Sequence, residues 1–183
     1  MSSAIIPDWI ASMDWESFGM TSPSKDDRCQ VLFICTGNSC RSQMAEAMLN
    51  HLAPQRFMAF SAGSHPAGYV HPLAVEVLGR MGIEAPDARS KGWDEFADVP
   101  MDVIITVCDH AAAEPCPVWP GRPATAHWSI PDPSAAWGAP EERLAYARQV
   151  GDFIRRHVEQ LIALPPDRRT PEALAAIHEE ISL

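Results

Sequence analysis

Residues 29–35 read CQVLFIC and residues 101–107 read MDVIITV, two short runs that are apolar at nearly every position rather than at every second one. A strand apolar on both sides has to be covered on both sides, which is the condition of a strand inside a parallel sheet flanked by helices. The stretches between agree with that. Met44, Ala45, Met48, Leu49 and Leu52 share one helical face behind Ser42, which stands where an N-cap would, and Pro54 stops the pattern. Phe57 to Ala62 reads as a second strand. Residues 72–82 read as a helix with Ala74, Val77, Leu78 and Met81 on one face and Gly82 at its end, and TAHWS (125–129) as a fourth strand. The longest helix runs from Pro140 to Ala163, turning Leu144, Ala147, Val150, Ile154, Val158 and Leu161 inward. Thr170-Pro171 opens a last short helix that carries Leu174, Ile177 and Ile181. Strands alternating with helices imply a single α/β domain with a central four-stranded parallel sheet and helices on both faces. Its active site is expected at the strands' C-terminal ends.

Length and composition limit the rest. The 183 residues, 46% hydrophobic and 21% charged, suffice for one packed domain and a tail. The domain is expected over residues 29–165, with a C-terminal helical extension at 166–183. Residues 1–28 read as an acidic N-terminal extension, docked in part through Trp9, Trp15 and Phe18. A net charge of −10 argues against nucleic acid and anionic membrane as partners. No apolar run has the length of a membrane helix, and the N-terminus lacks the basic and apolar parts of a secretory signal, so a cytoplasmic location is expected. In such a chain the five cysteines are better read as reactive or metal-binding than as a disulfide framework.

The acidic balance means that any anion site must make its positive potential locally. Cys35-Thr36-Gly37-Asn38-Ser39-Cys40-Arg41-Ser42 lies between an expected strand and an expected helix. A loop so placed turns successive backbone N–H groups inward and adds the partial positive charge of the helix N-terminus. Gly37 allows close backbone approach, Arg41 can hold two oxygens of a tetrahedral oxyanion, and Ser42 can donate to the sulfur of Cys35. These donors are expected to depress the Cys35 pKa and make it a thiolate nucleophile. The plainer alternative is a buried Cys35 acting as a small hydrophobe and a solvated Arg41.

The segment VLFICTGNSCRSQMAEAML resembles the opening of the low-molecular-weight tyrosine phosphatase fold, and within it the arsenate reductases built on that fold. The resemblance spans about residues 30–163. It implies that Cys35 attacks bound arsenate, that Cys108 then attacks Cys35 to release arsenite, and that Cys116 displaces Cys35 to leave a Cys108–Cys116 disulfide. It also implies no tightly bound cofactor and an external thiol reductant, thioredoxin or glutathione with glutaredoxin, in arsenic detoxification. Cys108 and Cys116 could instead be ordinary cysteines or two metal ligands, although they lack the short C-x₂-C spacing and His110 makes a thin third ligand. Cys29 is expected to be inert, and Cys40 to have no essential role. Asp132, before Pro133, is similar to the family's general acid, which would protonate the leaving oxygen. The phosphatases follow this acid with tyrosines, whereas Ser134 and Ala135 stand here, which disfavours phosphotyrosine. Some reductases of the family hold potassium beside the loop. Asn38, Glu46 and Ser61 match three of its ligands, and Lys91 stands where the fourth would be, so that its ammonium could replace the ion or simply face solvent. The rival readings are a phosphatase of the same fold and a non-catalytic thiol sensor for arsenite.

Overall fold

The computed structural model describes residues 28–114 and 117–182. Most of the N-terminal extension, and Cys116, lie outside the described residues.

The strands are β1 (Cys29–Cys35), β2 (Phe57–Gly63), β3 (Val103–Thr106) and β4 (Ala124–His127). The helices are α1 (Arg41–Leu52), α2 (Pro72–Arg80), α3 (Asp109–Ala113), α4 (Pro140–Ala163) and α5 (Pro171–Glu180). The sheet has four strands in the order β2-β1-β3-β4, and every pairing is parallel. Burial explains the unbroken apolar runs: Val31 to Cys35 are all buried, so the central strand is covered on both faces. No helix among the described residues is long and apolar enough to cross a membrane.

β3 and β4 are shorter than the expected runs 101–107 and 125–129, although single hydrogen bonds extend beyond them. Asp102 N–H donates to Gln30 O (2.9 Å) and Val107 N–H to Ile34 O (2.7 Å), both beyond the β3 ladder. α1 starts at Arg41, so Ser42 is not its N-cap; the cap position is Cys40, which makes no side-chain capping bond. α4 keeps the expected bounds because Pro140 sits at its first turn and Glu142 reaches back to the Ala139 N–H (2.8 Å). α2 crosses it at Gly151, where an added Cβ would come within 2.6 Å of Val77. α2 stops at Arg80, short of residue 82, and Gly82 follows with a φ of 73°.

α5 caps the far edge of the sheet. Its Leu174 and Ile177 are buried in the same core, and Leu174 O accepts the indole N–H of the fully buried Trp128 (2.9 Å). Thr170 caps its start, with Oγ1 accepting from Ala173 N–H, and Ile181 falls just past its end. Under Trp128 lies His157, wholly buried, its Nδ1–H donating to Phe153 O (2.8 Å) and its Nε2 3.0 Å from His178 Nδ1 on α5. Since the carbonyl can only accept, the neutral His157 carries its proton on Nδ1.

Burial holds the His157 pKa down at about 4, against an ordinary value of 6.5. The unfolded chain therefore takes up this proton first on acidification. Stability present above the ordinary value is lost as the pH falls towards 4, by up to about 3 kcal/mol. Urea midpoints at pH 7 and pH 4.5 should fall further apart in the parent protein than in a His157→Gln variant; equal drops would remove His157 from the acid response.

Candidate active site

Cys35 ends β1, and the five residues after it form a loop whose outward carbonyls are all tied down nearby. Ser64 N–H donates to Cys35 O, His65 N–H to Thr36 O, Ala67 N–H to Gly37 O (2.8 Å) and His71 N–H to Ser39 O (2.8 Å). Ser90 Oγ also donates to Gly37 O (3.0 Å). With the carbonyl sides held from outside, the N–H sides of these peptides are left to the cavity. Gly63 makes this fit possible, since a Cβ there would lie 2.5 Å from Thr36 O.

Asn38 sets the shape of the loop from within. It is fully buried and has a φ of 44°, in the left-handed region that asparagine tolerates better than most residues. In that conformation its N–H points at Cys35 Sγ, 3.1 Å away. Its Nδ2 donates to Ser42 Oγ (2.9 Å) and Ser61 Oγ (2.8 Å), and its Oδ1 accepts from Gln43 Nε2 (2.9 Å) and Lys91 N–H (2.7 Å). The amide's full capacity is spent. Because Asn38 donates to Ser42 Oγ, the serine's own proton is directed to Cys35 Sγ, 3.0 Å away.

Behind Ser61 the chain of contacts continues. Ser61 Oγ donates to Glu46 Oε2, and Lys91 Nζ reaches the same oxygen (3.1 Å) and Arg89 O (3.3 Å). Lys91 is 7% exposed, so it is a buried ion-pair partner and not a solvated turn residue. The four residues Asn38, Glu46, Ser61 and Lys91 are thus one connected cluster under the loop.

The cavity above the loop has a volume of about 450 Å3 and is walled by Cys35, Arg41, Cys108 and Asp132, among others. Arg41 does not point its fork over the sulfur. Nη1 donates to Ile130 O (3.1 Å) and Nη2 to Asp132 Oδ2 (2.9 Å), while Asp132 Oδ1 accepts from Ser134 N–H and Oγ. Cys108 stands at the N-cap of α3, a single helical turn, with Thr36 Oγ1 and Ala111 N each 3.5 Å from its sulfur. The second thiol therefore touches the loop that holds the first.

One expectation fails here. The Cys35 thiol is pushed up, not down: burial opposes its ionisation most, and Cys108 adds to the rise. The Ser42 hydroxyl, the Asn38 N–H and Arg41 pull the other way and are outweighed, the guanidinium being turned towards Asp132. Cys40 is pushed up to about 12 by burial and by Asp132, which leaves it a neutral thiol. Cys29 is also raised by burial.

Three contributors escaped the sequence. Gln43 Nε2 ties Asn38 to Arg89 O (2.7 Å), Ser90 holds Gly37, and His127 Nε2 meets Asp109 Oδ1 (3.0 Å) at the start of α3. Only Gln43 left a trace, as a polar side chain beside Met44 at the helix start that is nonetheless buried.

The model of the low molecular weight phosphotyrosine protein phosphatase family matches residues 30–176. The chain belongs to that family. The match runs past residue 163 into α5, whose packing on Trp128 makes it part of the folded unit. The arsenate reductase of Halalkalibacterium halodurans is 36% identical over 129 residues, or 70% of this chain and 91% of that relative. A solved arsenate reductase in its phosphate-binding state is 29% identical, with a TM-score of 0.62 over 74% of this chain and 97% of its own. The thioredoxin-dependent arsenate reductase of Corynebacterium glutamicum is 26% identical, with a TM-score of 0.56 over 85% of this chain and 69% of its own.

If Lys91 serves this family member as a tethered cation, Lys91→Ala should lower stability by about 2 kcal/mol or more, because Glu46 is left charged and largely buried. Exchanging sodium for potassium at constant ionic strength should leave the melting temperature of the parent protein unchanged. A potassium-specific gain in the parent would place a bound ion where the ammonium stands.

Proposed function

We propose that the protein reduces arsenate to arsenite by a thiol relay through Cys35, Cys108 and Cys116. The observation that carries this reading is Cys108. It is a buried second thiol in the cavity of the first, in contact with Thr36, where a phosphatase has no use for one. The named relatives support the same substrate.

Arsenate enters as a dianion and draws the Arg41 fork away from Asp132 and Ile130 onto its own oxygens. The raised Cys35 thiol gives its proton to the dianion, so ionisation follows binding. The thiolate then attacks arsenic, a sulfur–arsenic bond forms, and one oxygen leaves as water with a proton delivered through Asp132. Cys108 attacks Cys35 Sγ; the electron pair of the sulfur–arsenic bond stays on arsenic, which departs as arsenite, and a Cys35–Cys108 disulfide remains. Cys116 attacks Cys108, freeing Cys35 and leaving a Cys108–Cys116 disulfide for an external dithiol to reduce. Thioredoxin is the favoured reductant, since an intramolecular disulfide suits a protein dithiol; glutathione with glutaredoxin is the other. A cytoplasmic location fits a cycle that needs a reducing compartment.

The test is arsenate-dependent NADPH oxidation, run with thioredoxin and its reductase and in parallel with glutathione and glutaredoxin. Cys35→Ser should fall to background, and Asp132→Asn should lose about 10²-fold in turnover. Cys116→Ser should complete one turnover and trap a Cys35–Cys108 disulfide, identified by peptide mapping after one equivalent of arsenate. A Cys35–Cys40 bond would show the wrong partner, and turnover by Cys35→Ser would end the mechanism.

A further inference from the structure

The chain carries 14 lysines and arginines against 24 aspartates and glutamates, yet four arginines line one cleft. Arg28 opens β1, Arg56 precedes β2, Arg122 precedes β4, and Arg169 comes from the connection between α4 and α5. The cleft therefore lies at the N-terminal ends of the strands. The seven residues of β1 put it about 20 Å from the oxyanion loop, at the opposite end of the sheet. Its volume is about 860 Å3, against about 450 Å3 for the active-site cavity.

Two of the guanidinium groups are fixed in place. Arg169 Cζ lies 4.5 Å from the centroid of the Phe57 ring and Arg56 Cζ lies 5.6 Å from it. Arg169 Nη2 donates to Leu164 O (3.4 Å) and Arg56 Nη2 to Ile162 O (2.9 Å). A ring face and two carbonyls orient these cations without neutralising them. Among the described residues, Arg56, Arg122 and Arg169 form no ion pair, and the buried Nε of Arg169 has no hydrogen-bond partner. Among the described residues the one carboxylate on the wall is Asp102, which accepts from the Gln30 N–H (2.7 Å) and offsets one of the arginines. Arg56, Arg122 and Arg169 outnumber that carboxylate, and like charges gathered in this way favour an anion among them.

We propose that this cleft is a second oxyanion site, and that it takes a multiply charged phosphate chain such as a di- or triphosphate. Several guanidinium forks around a cleft of this size suit a chain of charged groups better than a single tetrahedral anion. Among the described residues the one aromatic ring at the site, Phe57, is fully buried, and these residues offer no stacking face to a nucleobase. A ligand here would join the starts of β1, β2 and β4 to the α4–α5 connection, and so would stabilise the fold.

Calorimetry and thermal melting of the full chain with sodium triphosphate test this. The expected result is binding that weakens with salt, raises the melting temperature, and leaves the KM for arsenate unchanged. Arg122→Gln should bind about tenfold more weakly or worse. Arg122 is exposed and makes no packing contact of the kind Arg169 makes with Phe57, so this variant should fold normally. Arg169→Gln, checked for an intact melting transition, should show the same loss. Equal affinity in both variants, no binding at millimolar triphosphate, or binding that only competes with arsenate at the oxyanion loop would overturn the proposal. So would binding that appears only after Asp8, Asp14, Glu16, Asp26 and Asp27 are neutralised, which would make the acidic N-terminal extension the occupant.

Discussion

The site depends on one buried amide. Asn38 holds a left-handed backbone conformation that costs energy for any residue but glycine, and its side chain offsets that cost with four hydrogen bonds that reach three separate pieces of chain. Ser42 and Gln43 belong to α1, Ser61 to β2, and Lys91 to the connection before β3. Fixing Asn38 therefore fixes the loop against the helix, the neighbouring strand and the turn that covers it. Its backbone N–H and the hydroxyl that it orients are the two donors aimed at Cys35 Sγ. The same contacts extend through Ser61 to Glu46 and Lys91, so a charge pair on the far side of the loop bears on the sulfur through a line of hydrogen bonds. An aspartate at 38 could accept but not donate to Ser42 and Ser61, and a glycine would keep the backbone and lose the anchor.

On the open side of the loop the ordering is electrostatic. Arg41 and Asp132 satisfy each other, which ties the loop after β4 to the loop after β1 and keeps a cation from standing unpaired in a cavity. The loop that carries Asp132 is anchored at its root: Trp128 is packed on Phe33 and held by Leu174 O on α5.

Local pattern was enough for the parts that local physics decides. The unbroken apolar run of β1, the proline-started α4 and the threonine cap of α5 were all legible, because burial, φ restriction and capping act within a few residues. The candidate site was legible as a set of residues but not as a set of charges. Whether Lys91 meets Glu46 depends on how two segments 45 positions apart cross, and sequence left solvent and ion pair open. The direction of the Cys35 shift was misjudged for a related reason. The donors could be counted along the loop, whereas the depth of burial and the turn of Arg41 towards Asp132 exist only in three dimensions. The α3 turn was missed because five residues, two of them after Ala111 also alanine, give no apolar face to detect.

Burial raises the pKa of Cys29, Cys35 and Cys40 alike, so a lowered pKa does not single out Cys35 among them. What separates Cys35 is the presence of donors that already converge on the sulfur and need only a proton acceptor to take effect. Cys40 has a carboxylate for a neighbour instead, and its ionisation is opposed twice over. A thiol is far less oxidisable than a thiolate. Burial, which raises the Cys35 pKa, therefore also favours the less oxidisable form of this sulfur. The raised pKa and the convergent donors oppose each other at one atom: burial favours the thiol, whereas the Ser42 hydroxyl and the Asn38 N–H favour the thiolate.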